Sequence, residues 1–418
     1  VGGEFWQIIS ARLCGYHSIN HEEDIVRLSK LLVVFSTIIL YGSIVTLAFA
    51  QATVNPDISF IGDFQTSLQD QKETVDKGKP VVDFKELEIG GAGPLNPYVR
   101  GDINLSVSQS GIDIEEAYMT VLRGLPLGLQ LKAGKYLVDV GKLNTQHSHQ
   151  WAWIERPLFH KELFGEEGLK DIGFNLNMLQ PLGEGSIGIS ANWLKNGGLI
   201  SDSEATSPYA PNRVNMAGSG RVSLFYPTSD YSNLETGVSV LHSQIQPTRI
   251  YFESSYIPSN PTDEAMANFV PDKRYATVGA IDLKWKYKPD NYNGFQIIGE
   301  YMTQSRTNQI VSAIVHPAGD TTFNSTNKSI KSYGLFGLAE IRWARRWDAG
   351  VLYDYAQGIE NANTNMSGYG AYAAFSVAEE TTRFGLLYRR NSATGIDSYN
   401  SVTLQILWML GPHKPHTF

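Results

Sequence analysis

The chain has 418 residues and carries 34 Lys and Arg against 42 Asp and Glu, a formal charge of −8 at neutral pH. That balance provides no basic footprint for nucleic acid. No composition shift or Pro/Ser-rich linker divides the chain, so one large domain is the simplest reading, and its 39 Gly, 21 Tyr and 8 Trp suit a closed sheet with tight bends and aromatic rims.

Residues 1–25 fit neither a signal n-region nor a folded segment, and they are read as lying before the true start or as unstructured. Arg27 and Lys30 then precede an apolar run from Leu31 to Leu47, followed by Ala48-Phe49-Ala50. Residues 26–50 therefore read as a secretory signal peptide cleaved after Ala50, with an uncleaved membrane anchor as the alternative. Cys14 is the sole cysteine and precedes that cleavage point, so residues 51–418 have no thiol for a disulfide or a Cys-based metal site. The leader removes three of the bases and four of the acids, leaving a mature charge of about −7.

From Asp57 onward the sequence alternates apolar and polar residues, the period of a strand with one apolar face. Val99, Gly101, Ile103, Leu105 and Val107 alternate with Arg100, Asp102, Asn104, Ser106 and Ser108. Ile187, Ile189, Ala191 and Trp193 form another such face, as do Tyr275 to Tyr287 at the odd positions, Tyr369 to Val377, and Val402 to Trp408. Short turns such as Gly93–Pro97, Gln180–Glu184, Tyr226–Asp230 and Lys288–Asn291 fall between longer polar stretches at 69–81, 137–166, 195–213, 243–272, 305–328 and 357–367.

Placing the first strand upward from the periplasm puts every long stretch outside. The expected fold over residues 51–410 is thus all-β: a transmembrane antiparallel β-barrel of about 16 strands, with short periplasmic turns and long extracellular loops. Tyr226, Trp285, Tyr287, Trp343, Trp347 and Trp408 sit near strand ends, where a membrane interface places aromatics. Pro412 and Pro415 exclude Gly411 to Phe418 from a regular strand, so residues 411–418 read as a periplasmic tail beyond Leu407-Trp408-Met409.

Within Asp83 to Lys142, the motifs Glu116-Ala117-Tyr118, Leu125-Pro126-Leu127-Gly128 and Gly134-Lys135-Tyr136 resemble the early strands of the phosphate-selective porin family. That resemblance covers about a sixth of the chain. It implies a 16-stranded diffusion channel that assembles as a homotrimer. His147 to Gly173 resembles uncharacterised bacterial outer-membrane proteins labelled as TonB-dependent or zinc-related receptors. Such receptors have plugged barrels of about 22 strands, whereas only a few residues here separate Ala50 from the first strand.

The loop from Leu137 to Gly168 contains Trp151, Trp153, Ile154, Leu158, Phe159, Leu163 and Phe164, an apolar content costly on an exposed tip. It is expected to fold into the lumen as a constriction, bringing Glu155, Arg156, Lys161, Glu162, Glu166 and Glu167 into the permeation path with Trp151 and Trp153. The alternative is packing on a neighbouring subunit or the barrel rim. His147 and His149 are spaced to share a metal with His160 or Glu155, although a polar, non-liganding role fits the spacing as well.

By parity, Arg100, Lys132, Arg221, Lys284, Arg342, Arg383 and Arg389 face the lumen with Asp63, Glu86, Glu88, Asp102, Asp282, Glu300, Glu340 and Asp354. This mixed balance does not support a phosphate-selective pore and suits facing acidic and basic walls. No nucleotide loop, zinc-protease helix or nucleophile elbow is present. The sequence therefore reads as a non-enzymatic, cofactor-free porin in the lipid and lipopolysaccharide outer membrane of a Gram-negative-type bacterium, passing small hydrophilic solutes or ions. Alternatives are a substrate-specific or metal-related uptake protein, and a structural or adhesive barrel.

Overall fold

A chain whose side chains alternate apolar and polar can satisfy every backbone group inside a bilayer only by pairing its strands into a closed ring. The computed structural model describes residues 56–72, 74–151, 153–195, 217–245, 251–252, 274–315, 321–377 and 381–412. The chain divides into two units, Val1–Thr53 and Val54–Phe418. The first lies outside the described residues, as do the expected signal peptide and its cleavage point, most of the loops at 195–213 and 243–272, and residues 413–418 of the tail.

The strands in chain order are β1 (Asp57–Gln69), β2 (Val81–Asn96), β3 (Val99–Ser108), β4 (Gly111–Val121), β5 (Gln130–Leu137), β6 (Lys170–Leu182), β7 (Gly185–Leu194), β8 (Ala217–Ser229) and β9 (Ser232–Ile245). They continue as β10 (Tyr251–Phe252), β11 (Arg274–Tyr287), β12 (Gly294–Val315), β13 (Thr321–Trp343), β14 (Trp347–Gln357), β15 (Asn365–Ser376), β16 (Thr382–Ala393) and β17 (Ile396–Leu410). The two-residue β10 pairs parallel with β12. The other sixteen pair antiparallel with their neighbours, and β1 closes the ring on β17 from Phe60↔Leu410 to Gln69↔Ser401. The barrel is a closed sixteen-stranded antiparallel sheet.

The parity read from the sequence is the parity of the wall. In β11, Tyr275, Ile281, Leu283 and Tyr287 face outward, while Ala276, Val278, Ala280, Asp282 and Lys284 are buried inside. Trp285 stacks on Tyr287, Trp343 on Trp347, and Trp347 meets Phe375, all at the short-turn rim. Tyr301, Tyr333 and Tyr355 pack in series toward the opposite rim. On β11, ten residues separate Tyr275 from Trp285; at about 3.3 Å per residue and a tilt of about 40° they bracket a band about 25 Å tall, the height of a lipid-facing belt.

One expected loop is strand instead. Residues 305–315 and 321–328 continue the β12–β13 ladder to Val315↔Thr321, in keeping with a sequence rich in β-branched Thr, Ile and Val. β17 ends at Leu410, where Gly411 turns at a φ of +86° ahead of Pro412.

Candidate functional site

The segment between β5 and β6 enters the lumen and carries the one α-helix among the described residues, α1 (Leu158–Phe164). Its apolar side chains pack against inward-facing wall residues. Val138, Val140, Phe159, Leu163 and Phe164 join Leu194, Leu241, Val278 and Met302. Leu143, Trp151, Trp153 and Ile154 join Ile298, Phe336, Leu338, Leu352 and Leu387. Trp151 and Trp153 stack with ring centroids 6.0 Å apart, and the Trp153 ring lies 5.3 Å from that of Phe336. These two side chains anchor the segment to the wall from β12 to β16.

Polar contacts pin its ends and its turns. The Asn144 side-chain amide donates to the carbonyls of Val138 (2.7 Å) and Leu169 (3.0 Å), while its oxygen accepts from the Leu169 N–H at 2.8 Å, tying entry to exit. Glu300 accepts from the Lys142 and Leu143 N–H groups at 2.6 and 3.2 Å and also holds His160. Asp354 accepts from the Leu158 N–H at the start of α1, and Arg389 bridges Asp354 to Glu155.

Gly141 turns at a φ of +70°, and a Cβ there would lie 2.7 Å from the Glu300 carboxylate oxygens. Gly141→Ala is expected to cost about 1–2 kcal/mol in backbone strain alone and to displace the carboxylate that receives both N–H groups. Limited proteolysis within residues 147–168 should then rise in the folded barrel; an unchanged cleavage pattern would remove Gly141 from the anchor.

The apolar filling is one-sided. Opposite it, His147 and His149 face β2 and β4, where His147 Nδ1 lies 3.2 Å from Glu115 Oε2 and 3.6 Å from Glu88 Oε2. His147 Nε2 is 2.9 Å from Glu116 and His149 Nδ1 is 3.0 Å from Glu88. All five side chains are buried. Burial alone would lower the His147 pKa, but the carboxylates of Glu88, Glu115 and Glu116 raise it well above the ordinary imidazole value.

Two cavities flank this cluster along the wall formed by β1 to β4. The outer one, about 110 Å³, is bordered by Asp63, Gln65, Lys85, Glu86, Glu115, Glu155, Arg156, Lys161, Glu166 and Glu167. The inner one, about 160 Å³, is bordered by Asp57, Ser59, Glu88, Arg100, Asp102, Asn104, His149 and Pro412. His147 lines both.

Of the residues expected at a constriction, Glu155, Arg156, Lys161, Glu166, Glu167 and Trp151 border the outer cavity. Arg156 lies 4.6 Å above the Trp151 ring and donates to the Glu166 carbonyl. Glu162 sits instead beside the Ile359 backbone, and Trp153 is packed in the apolar half.

The expected lumen charges lie on the inner face, and three of the arginines sit in close ion pairs. Arg100 pairs with Asp102, Arg221 with Asp282, and Arg342 with Asp348. Glu340 accepts from Gln296 and Tyr372, Lys132 lies over the Tyr118 ring, and Lys284 is buried. Arg221, Asp282, Lys142 and Glu235 border a further cavity of about 370 Å³. His147 and His149 come together, whereas His160 stands apart on Glu300 and Glu155 faces Arg389.

Glu115 escaped the sequence reading. Strict alternation would send one of Glu115 and Glu116 to lipid, but a β-bulge opposite Asn104 and Leu105 inserts Glu115 as an extra residue and turns both carboxylates inward. A second bulge lies in β2, where Lys85 is the extra residue opposite Asp63 and Phe64. The adjacent acids on a lipid-spanning strand were the available signal, since a lipid-facing carboxylate is disfavoured there.

The fold and its inserted segment define the class, an outer-membrane-type β-barrel whose lumen is partly filled by its own chain. No family model matches the chain, so the likeness to phosphate-selective porins rests on the three motifs alone. An uncharacterized protein of Aquifex aeolicus (strain VF5) is 25% identical over 425 residues, spanning 88% of this chain and 81% of that protein. Among solved structures, a loop L8 deletion mutant of OmpT, an outer membrane protein of Vibrio cholerae, gives a TM-score of 0.51 at 10% identity over 85% of this chain and 99% of that one. OprB of Pseudomonas putida gives 0.50 at 8% identity over 85% and 94%.

Proposed function

We propose that this protein is an outer-membrane channel for small hydrophilic solutes, narrowed by the segment at 137–168 and conducting cations ahead of anions along the wall from β1 to β4. The observation that carries this reading is the division of the lumen: the segment seals against apolar side chains on one side and leaves polar cavities on the other. Around the outer cavity Asp63, Glu86, Glu115, Glu155, Glu166 and Glu167 outnumber Lys85, Arg156 and Lys161, and around the inner one Asp57, Glu88 and Asp102 outnumber Arg100. Charged rings of one sign set the preference of a narrow aqueous path. Cavities of this size hold a few waters, at about 30 Å³ each, which suits ions and the smallest polar solutes.

The test is planar-bilayer recording of the purified protein under a KCl gradient. Discrete open steps with a reversal potential on the cation side are expected. A reversal potential on the anion side would reject the cation preference, and silence would favour a structural or adhesive barrel. Assembly as a homotrimer is part of this proposal, and the mass of the detergent-solubilised complex tests it.

A further inference from the structure

Between the outer and inner cavities, one imidazole and two carboxylates come together, each more than nine-tenths buried. Glu88 Oε2 and Glu115 Oε2 accept no hydrogen bond by geometry, although each lies within 3.6 Å of His147 Nδ1. Donor atoms from Glu88, Glu115 and His147 all fall within 4.8 Å of one another. A tetrahedral ion with bonds of about 2.0–2.1 Å places neighbouring ligand atoms about 3.3–3.4 Å apart, and the contacts of 3.2 and 3.6 Å bracket that spacing.

Three protein ligands facing cavities on two sides leave a fourth position for water or an exchanging ligand, the arrangement of an open rather than a structural centre. His149 Nδ1, 3.0 Å from the same Glu88 oxygen, is placed to orient that carboxylate.

We propose that Glu88, Glu115 and His147 form a binding site for a divalent first-row transition ion of the zinc type, set at the neck between the outer and inner cavities as a station for cation passage. The passage part rests on the channel reading above; the site itself does not. A mixed imidazole and carboxylate set favours such ions over magnesium or calcium, which take oxygen ligands in larger number. Glu115 borders the outer cavity, Glu88 the inner, and His147 both, so an ion held here touches the two ends of the route. Lys170 Nζ, 3.2 Å from the other Glu115 oxygen, holds that carboxylate from outside the triad.

The test is calorimetric titration of the full barrel in detergent with Zn²⁺ and with Mg²⁺, paired with recording of K⁺ current. One Zn²⁺ per chain is expected, with Mg²⁺ much weaker. Glu115→Gln and His147→Asn should each weaken Zn²⁺ by more than about 100-fold, and His149→Asn by about 10–100-fold as an outer-shell change. His242→Asn, on the outer face beside Thr277, should leave binding unchanged. Micromolar Zn²⁺ should reduce wild-type K⁺ current and spare the current of His147→Asn.

Heat-modifiable migration on a gel establishes that each variant is folded, and Glu88→Gln replaces any that is not. Zn²⁺ binding that survives in Glu115→Gln and His147→Asn, or fails in the wild type while K⁺ current persists, overturns the site and leaves the channel standing. Binding that is lost in the variants while no current is ever seen keeps the site and removes the channel.

Discussion

Deletion of residues 147–164 is expected to raise single-channel conductance several-fold, because a sixteen-stranded barrel is otherwise wide enough for an aqueous channel. The deleted stretch contains Trp151, Trp153, Ile154, Phe159, Leu163 and Phe164, the side chains that fill the apolar half of the lumen. It also removes His147 and the Glu155 carboxylate from the polar half. The wall itself does not depend on the stretch, because β5 and β6 pair with each other from Leu137↔Lys170 to Gln130↔Asn177 without it. The folded fraction, followed by heat-modifiable migration, should therefore persist. Conductance unchanged in a folded deletion variant would reject the constriction and return the segment to a packing role.

The wall was legible because a lipid-facing strand has to keep one parity apolar, as β11 does and as β17 does from Val402 to Leu410. The inward turn of the segment after β5 was legible for a related reason, since Trp151, Trp153 and Phe159 have no place in an exposed loop. What fills the lumen around it was not. Leu338, Leu352 and Leu387 are inward residues on strands whose outward positions are apolar as well, so two-sided apolar strands announce a packed interior only once the partner is known.

The neck was half legible. His147 and His149 stood out by spacing, but their carboxylates come from β2 and β4, and local sequence does not reveal which strand a loop will face. Glu115 was hidden further by the bulge that re-aims it. His160 was read with the other imidazoles because it is near them in sequence. The turn at Ile154, whose φ of +73° is rare for a β-branched residue, lies between them, and α1 then points His160 toward Glu300 on β12.

The two halves of the lumen make different demands on the chain. Apolar packing holds the segment against β7 to β16 without directional contacts, so it fixes position only as well as shape allows. Hydrogen bonds to Glu300, Asn144 and Asp354 supply the direction. The cavities along β1 to β4 are bordered by charged side chains, and apolar filling packed against them would leave carboxylates unpaired.

Replacement of Arg389 by Met tests that division, and it should be the most disruptive single change on the inner wall. Arg389 is 2% exposed and binds Asp354 at 2.6 Å and Glu155 at 3.0 Å. Its guanidinium lies against Gly368, where a Cβ would come within 2.1 Å of Nη2. Met fills similar volume but leaves the Asp354 carboxylate buried with the Leu158 N–H as its remaining described hydrogen-bond partner. Breaking a buried pair on one side costs about 3–5 kcal/mol, whereas removing both charges is often close to neutral.

Arg389→Met should therefore undock α1, seen as faster proteolysis within residues 147–168 and as noisy, enlarged open steps, while the sixteen-stranded wall stays folded. Adding Asp354→Asn to the same chain should recover most of the protection, because the stranded charge is gone although the ion pair is still absent. A single variant with wild-type cleavage and quiet steps would show that apolar packing alone fixes the segment. A double variant as labile as the single one would assign the anchoring to the bond between Arg389 and Glu155.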